Sequence, residues 1–147
     1  MEYSEILERL SPCGLDCIRC TAYEDGEIKQ TSTKLLELLG GFNRMAKIRA
    51  DFHPVFNGYS EFEAILTLFS KGNCGGCRSV NINCPIDCPI KDCYRGKQVD
   101  FCFQCSEYPC EAGLRSFIGE RWKLRNDRMK EIGVVSFFEE GLKVPRY

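Results

Sequence analysis

Residues 74–110 read CGGCRSVNINCPIDCPIKDCYRGKQVDFCFQCSEYPC, and the composition of this stretch limits how the chain can fold. It holds eight of the 11 cysteines, together with Pro85, Pro89 and Pro109, and few large apolar side chains. A segment of this kind buries too little apolar surface to offset the entropy lost on ordering. A structural zinc ion contributes about 10–16 kcal/mol to small folds that bind it. The sequence therefore predicts that residues 74–110 fold around metal.

The other three cysteines lie in the stretch CGLDCIRC, Cys13–Cys20. Their Cys-x3-Cys-x2-Cys spacing is that of radical enzymes, which hold an iron–sulfur cluster with one open iron. Such enzymes carry a full or partial β/α barrel, and a complete barrel takes about 250 residues, whereas this chain has 147. We instead expect these thiols to bind one metal. The fourth ligand would be a cysteine from residues 74–110 or an exchangeable water.

Every cysteine is a candidate metal ligand. Cys17–Cys20, Cys74–Cys77 and Cys102–Cys105 are Cys-x2-Cys pairs, a spacing that lets one tight turn supply two ligands of a tetrahedral zinc site. The glycines between Cys74 and Cys77 can take the positive φ that such a turn needs. The predicted ligands are Cys13, Cys17, Cys20, Cys74, Cys77, Cys84, Cys88, Cys93, Cys102, Cys105 and Cys110.

The sequence leaves the grouping of these ligands open. Grouping in chain order gives one site of Cys74, Cys77, Cys84 and Cys88, and a second of Cys93, Cys102, Cys105 and Cys110. The interleaved alternative, as in a zinc ribbon, pairs Cys74 and Cys77 with Cys102 and Cys105. Both groupings predict two or three zinc ions. His53 could complete a third site, but it lies far in sequence from every cysteine and is interpreted as an ordinary histidine.

Zinc is favoured over an iron–sulfur cluster as the cofactor. Cys84-Pro85 and Cys88-Pro89 are similar to the Cys-Pro end of bacterial ferredoxin motifs, but the Cys-x2-Cys-x2-Cys run is absent. An iron–sulfur or redox enzyme is therefore the alternative. The chain shows no Ser/His/Asp set, phosphate-binding loop or Glu-backed zinc motif. The sequence thus gives no positive indication of an enzyme.

The charge balance argues against a nucleic-acid binder. The formal net charge is −1, and two zinc ions with four thiolates each would lower it to about −5. A nucleic-acid-binding zinc module would have to use the basic residues of the last long predicted helix, where Glu120, Asp127 and Glu131 are interspersed. Those basic residues are Arg115, Arg121, Lys123, Arg125, Arg128 and Lys130. A solvated charged face is the preferred interpretation, and a protein is the partner class left open.

The compartment is predicted from what the sequence lacks. The first residues, MEYSEILERL, have no apolar core of a signal peptide. No run approaches the 18 apolar residues that a membrane span needs, so no membrane partner is expected. Clustered cysteines in such a chain are typical of metal binding rather than of disulfides. The prediction is a cytoplasmic protein.

The sequence predicts a mostly α, single-domain protein of residues 1–147. Its helical body comprises residues 1–10, 21–73 and 111–147, and its small irregular α+β cysteine-rich metal-binding module comprises residues 11–20 and 74–110, with a short hairpin. Helical spacing of apolar residues predicts helices over Tyr3–Leu10 and Phe42–Ala50, a buried leucine turn ending at Gly40-Gly41, and one long helix over 111–132. Capping boxes predict helix starts at Ser60 and Ser136. Phe62, Ile65, Leu66 and Phe69 are predicted core residues within an apolar body over 21–73.

These cysteine motifs resemble a prokaryotic family of unknown function, domain of unknown function family 3795. The family pattern opens with Cys-Gly-Leu-x-Cys-x-x-Cys and a Pro-Ala-Tyr-like segment, here Thr21-Ala22-Tyr23. It closes with Cys-x-x-Cys-x-x-Tyr/Phe-Pro-Cys-Glu, here Cys102–Glu111. The resemblance covers about residues 12–112 and departs at Cys84-x3-Cys88, where members more often show Cys-x2-Cys. It implies metal binding, with zinc, in bacterial or archaeal cytosol, and no activity. We therefore expect a small metal-binding protein with an interaction or structural role.

Overall fold

The regular structure of the chain is almost entirely helical. The computed structural model describes all residues, Met1–Tyr147. The eight α-helices are α1 (Tyr3–Arg9), α2 (Glu27–Leu38), α3 (Phe42–Ala50), α4 (Tyr59–Ser70), α5 (Ile90–Lys97), α6 (Glu111–Leu114), α7 (Gly119–Ile132) and α8 (Val134–Leu142), with 3-10 turns at Pro54–Gly58 and Cys102–Gln104. The only β pairing consists of isolated bridges, Leu10 with Asp16 and Tyr23 with Cys74. The mostly α prediction is confirmed, and the predicted hairpin is absent. None of the helices has the length and hydrophobicity needed to cross a bilayer.

The main hydrophobic core joins the two ends of the chain. It contains Ile6, Leu10, Phe101, Met129, Val134 and Phe138, contributed by α1, α7, α8 and the residue before the second 3-10 turn. Gly133 separates α7 from α8 with a φ of 83°. Because a residue with a side chain rarely adopts this conformation, glycine lets α8 turn back sharply onto α1.

A second apolar cluster forms around Trp122, which is fully buried with Cys13 and Ile90. Gly113 of α6 lies flat against the indole ring, since a Cβ at this position would fall 2.4 Å from its Cη2 atom. A Cβ at Gly119 would fall 2.0 Å from the carbonyl oxygen of Leu114. The predicted helix over 111–132 is therefore wrong: it is broken between α6 and α7, where the backbone turns tightly enough to bring Gly113 onto Trp122.

Helices α2, α3 and α4 form a separate layer, here called the helical insert (residues 27–70). Helix α2 packs along α4, and α3 packs on the 3-10 turn at Pro54–Gly58. The Phe42 ring lies 5.2 Å from that of Tyr59. The bridge between Tyr23 and Cys74 connects the two ends of this insert, so the insert projects from the cysteine-rich part of the molecule as one unit.

The predicted apolar body over residues 21–73 is wrong as a core. Apart from glycines, only Ser32, Ala46 and Tyr59 are fully buried within it. Of the predicted core residues, Phe62 is 43% exposed and Ile65 is 52% exposed. The physical reason is that α4 packs mainly on α2, and its smaller contacts with α3 and the 3-10 turn at Pro54–Gly58 leave these side chains partly in solvent.

Two predicted helix starts are also wrong. Helix α4 begins at Tyr59 after Gly58, and α8 begins at Val134 after Gly133. The Ser60 hydroxyl donates to the Glu61 carboxylate instead of capping a backbone amide. Residues 90–97, expected to lie in an irregular module, form the regular helix α5.

Candidate functional site

Five cysteines line one cavity of about 80 Å³, here called the first cysteine cluster. The cluster consists of Cys17, Cys20, Cys74, Cys77 and Cys84. Two Cys-x2-Cys turns from opposite sides of the helical insert thus face the same space. The structure brings the N-terminal pair to a cysteine pair of residues 74–110, the region from which a fourth ligand was expected.

Backbone pairing places these two turns side by side. The Cys74 amide donates to the Ala22 carbonyl at 2.9 Å, and the Glu24 amide donates to the Cys74 carbonyl at 3.0 Å. Gly76 has a φ of 90°, and a Cβ there would lie 3.4 Å from the Cβ of Cys17. Glycine between Cys74 and Cys77 therefore permits both the turn and the close approach of Cys17.

Arg78 anchors the Cys74–Cys77 turn to the main core. Its Nε donates to the Leu10 carbonyl at 2.9 Å. Its guanidinium lies over the rings of Tyr94 and Phe101, 5.2 and 5.0 Å from their centroids. These contacts fix the residue that directly follows Cys77, so the position of the turn is coupled to the core.

Cys17 and Cys77 both line the first cysteine cluster, and the pKa values of their thiols move in opposite directions. The neighbouring Cys77 lowers the pKa of Cys17 to about 7, against the opposing effect of burial, and Arg146 adds a favourable positive charge. The neighbouring Cys17 and burial raise the pKa of Cys77. The pair therefore favours one thiolate, on Cys17.

Four further cysteines line a second cavity of about 40 Å³, here called the second cysteine cluster. Its members are Cys93 on α5, Cys102 and Cys105 at the second 3-10 turn, and Cys110 before α6. The Trp122 ring closes one side of this cavity. These are the same four residues that chain-order grouping assigned to one site, and the structure brings them together around one space.

Two sulfur atoms of the second cysteine cluster accept backbone N–H groups. The amide of Glu107 donates to Cys105 Sγ at 3.5 Å, and that of Gly113 donates to Cys110 Sγ at 3.4 Å. In the first cluster, burial raises the pKa of Cys84, and the Ile86 amide opposes this rise. N–H donors near a sulfur favour its ionised form, which is the form that binds metal.

The indole of Trp122 is a further donor that the sequence did not reveal. Its N–H is buried and makes no hydrogen bond of ordinary geometry. It faces Cys102: burial raises the pKa of Cys102 to about 12, and the Trp122 N–H opposes this rise. A single tryptophan has no spacing pattern, so only its burial beside the cysteines reveals this role.

Cys13 and Cys88 line neither cavity. Both belong to the apolar cluster around Trp122 and Ile90, and Cys13 Sγ lies 2.9 Å from the Ser11 hydroxyl. The predicted trio of Cys13, Cys17 and Cys20 is therefore divided between two parts of the fold. The first cavity also departs from chain order, because Cys88 is absent and Cys17 and Cys20 are present. The ribbon pairing of residues 74 and 77 with 102 and 105 is not seen, since these pairs line different cavities.

The clusters are not preassembled metal sites. All 11 cysteines are free thiols, and no three His, Cys, Asp or Glu side chains converge closely enough to hold an ion. His53 is exposed, and its ring lies 6.4 Å from that of Phe56. The structure therefore shows grouped thiols around cavities and places His53 in the insert, away from them.

The basic residues proposed for nucleic-acid binding are largely committed to other contacts. Arg115 pairs with Glu111, Lys123 with Asp127, and Arg128 with both Glu131 and Glu140. The Arg125 Nε donates to the Cys13 carbonyl at 3.2 Å. These contacts agree with the interpretation of a solvated charged face.

The fold and the grouped thiols define the chain as a small helical, cysteine-rich protein. The family model described as "Protein of unknown function (DUF3795)" matches residues 9–114, and the chain belongs to this family. The matched range includes all 11 cysteines, whereas α7 and α8, which supply Trp122 and much of the core, lie beyond it. No curated protein and no solved structure matches the chain.

Proposed function

We propose that the protein binds two zinc ions, one at each cysteine cluster, and that these ions hold the cysteine-rich segments in place. The first ion would be bound by Cys17, Cys20, Cys74 and Cys77, with Cys84 adjacent. The second would be bound by Cys93, Cys102, Cys105 and Cys110. Both ions have a structural role in this proposal, in a cytoplasmic protein that acts through interaction rather than catalysis.

The observation that carries the proposal is the meeting of Cys17–Cys20 and Cys74–Cys77 on one cavity. Two Cys-x2-Cys turns facing each other supply the four thiolates of a tetrahedral zinc site. The N–H groups directed at Cys105 and Cys110 support the second site, because they stabilise thiolates and do little for neutral thiols. Metal binding would draw the sulfurs together, since a site is rarely preformed without its ion.

The donor set favours zinc over harder cations. Thiolates are soft ligands that select zinc, copper(I) or iron–sulfur clusters, whereas calcium and magnesium prefer oxygen. The first cavity is lined by cysteines with no carboxylate among its residues. Arg146 also lines this cavity, where its positive charge would partly neutralise the thiolates.

Metal content of anaerobically purified protein tests the proposal. We expect two zinc ions per chain. Cys74→Ser and Cys105→Ser should each lose one, because each removes a ligand from a different cluster, and the double variant should lose both. Cys13→Ser is the matched control and should keep both ions, since Cys13 lines neither cavity.

Three results would contradict this assignment. Wild-type protein without bound metal would refute metal binding itself. Loss of an ion in Cys13→Ser would refute the grouping. Broad brown absorbance with stoichiometric iron and sulfide would replace zinc by an iron–sulfur cluster.

A further inference from the structure

The helical insert exposes a run of large apolar side chains that its own packing leaves uncovered. Phe52 is 76% exposed and Val55 is 81% exposed. Five more are between 43% and 69% exposed: Met45, Ile48, Phe62, Ile65 and Leu68. We call these seven residues the insert face. Monomeric proteins rarely expose contiguous apolar patches larger than a few hundred Å².

The insert face consists of residues from α3, the segment that follows it, and α4. Met45 and Ile48 are one helical turn apart on α3, and Phe52 and Val55 lie in the connection after it. Phe62, Ile65 and Leu68 follow an i, i+3, i+6 spacing on α4. Ala46 is the buried residue of α3 and Tyr59 that of α4. Aromatic contacts connect the two helices, because Phe42 of α3 packs on Tyr59, and Tyr59 packs on Phe62 of the α4 stripe with ring centroids 6.0 Å apart.

The size of this face matches what a stable dimer needs. At the observed exposures, the seven side chains leave on the order of 700 Å² of apolar surface in water. A standard protein interface buries about 800 Å² on each partner. The insert face therefore supplies nearly one complete half of such an interface from apolar residues alone.

The charges on the insert face suit a second copy of the same chain. Arg44, Lys47 and Arg49 form no salt bridge, and α3 contains no acidic residue. On α4, Glu61 lies beside the apolar stripe and accepts only from the Ser60 hydroxyl. Pairing α3 with α3 would oppose like charges. Pairing α3 of one copy with α4 of the other brings Arg44 towards Glu61, and a two-fold axis makes this contact twice.

We propose that the protein forms a two-fold symmetric homodimer through the insert face, with α3 of each copy packed against α4 of the other. A second copy suits both signs of charge on this face, because the cations of α3 meet the Glu61 carboxylate of the partner, whereas an anionic lipid surface would attract α3 and repel Glu61. The interface lies on the insert, away from both cysteine cavities. It therefore goes beyond the proposed metal binding and does not depend on it.

Sedimentation equilibrium over about 1–100 µM protein tests this dimer. The wild-type protein should approach twice its monomer mass of 16.8 kDa. Ile48→Glu and Ile65→Glu should each weaken association at least about tenfold, because each buries a charge at the interface. Both side chains are already solvent-exposed, so the helical circular dichroism should not change. Phe117→Glu is the matched control and should remain dimeric, since Phe117 is 85% exposed but lies outside the insert.

Charge reversal tests the pairing of α3 with α4. Arg44→Glu and Glu61→Lys should each weaken the homodimer, and an equimolar mixture of the two variants should recover a heterodimer of wild-type affinity. A wild-type protein that stays monomeric at every concentration would overturn the proposal, as would an unchanged dimer in Ile48→Glu. A monomer that co-sediments with vesicles of 30% anionic lipid (about one charge per three lipids, enough for the surface potential of an acidic membrane) would assign the face to a lipid surface instead.

Discussion

At the scale of single residues, side chains other than the cysteines would stabilise the thiolates that the proposed zinc sites need. Trp122 is the clearest case, because a fully buried indole N–H without an ordinary acceptor costs free energy unless something accepts from it. A thiolate on Cys102 would be that acceptor.

Replacing Trp122 by phenylalanine should weaken zinc binding at the second cluster. The substitution keeps most of the buried ring and deletes the N–H directed at Cys102. Removing a hydrogen bond to a metal ligand costs about 10–100-fold in metal affinity. We expect a loss of this size in a Cys74→Ser background, where only the second cluster binds, measured by competition with a chromophoric chelator.

Trp122→Phe in a Cys105→Ser background is the control for this prediction. In that background only the first cluster would bind zinc, and Trp122 does not line its cavity, so the zinc affinity should not change. Equal losses in both backgrounds would show that Trp122 acts through overall stability. No loss in either background would show that its N–H is not used.

At the scale of helices, the sequence predicted helix bounds most accurately for α1 and α3. Helix α3 has the predicted bounds Phe42–Ala50, and α1 ends one residue before the predicted Leu10. Helix α5 was missed because it lies between cysteines and has a single fully buried residue, Ile90. Its stability comes from what it packs against, which local sequence does not encode.

The prediction of the core failed for a different reason. Helical spacing identifies an apolar face but not whether another element covers it. The stripe of Phe62 and Ile65 has the spacing of a core face and yet remains half-exposed. The same limit applies to the candidate site: chain order grouped Cys93 with Cys102, Cys105 and Cys110, and these four line one cavity. Chain order could not group Cys17 with Cys77, because this contact depends on how the insert closes at its base.

Metal removal should affect the elements unequally. Residues 74–110 contain one short helix of eight residues, α5, and few buried apolar side chains, so chelation should strongly increase their amide hydrogen exchange. Helices α2 and α4 pack on each other and should keep most of their protection. Mass spectrometry of exchanged peptides, before and after complete chelation, measures both regions in one sample.

Comparing residues 74–110 with helices α2 and α4 distinguishes local loosening from unfolding of the whole protein. If residues 74–110 stay as protected as before, packing rather than metal orders them. If α2 and α4 lose protection equally, the insert depends on the metal sites for its own stability, and the view of it as a separate unit is wrong.

At the scale of the whole molecule, the last residues of the chain close over the first cysteine cluster. The Tyr147 hydroxyl accepts from the Thr21 amide at 2.9 Å, and the Arg146 Nε donates to the Asp16 carbonyl at 2.9 Å. The chain thus places cationic Arg146 at a cavity whose thiolates would carry negative charge. The sequence could not predict this closure, because residues 143–147 have no helical pattern and gain their position from contacts more than 100 residues away.

Arg19 connects this closing segment to the Cys17–Cys20 turn, and changing it should loosen both. Its Nε donates to the Asp16 carboxylate at 2.7 Å, while its other nitrogens donate to the carbonyls of Gly141 and Val144 at 2.9 and 3.0 Å. Lysine keeps the charge, but its single nitrogen cannot reach the three separate acceptors that the guanidinium fork spans. Arg19→Lys should therefore lose about 1–3 kcal/mol of unfolding free energy. Arg19→Lys should also make zinc dissociate faster from the first cluster, measured by chelator-driven release in the Cys105→Ser variant. Release from the second cluster, measured in the Cys74→Ser variant, should keep its rate. Arg121→Lys, which alters an exposed arginine of α7 that forms no salt bridge, is the matched control. Equal acceleration at both clusters would mean that Arg19 supports the fold in general rather than the first site.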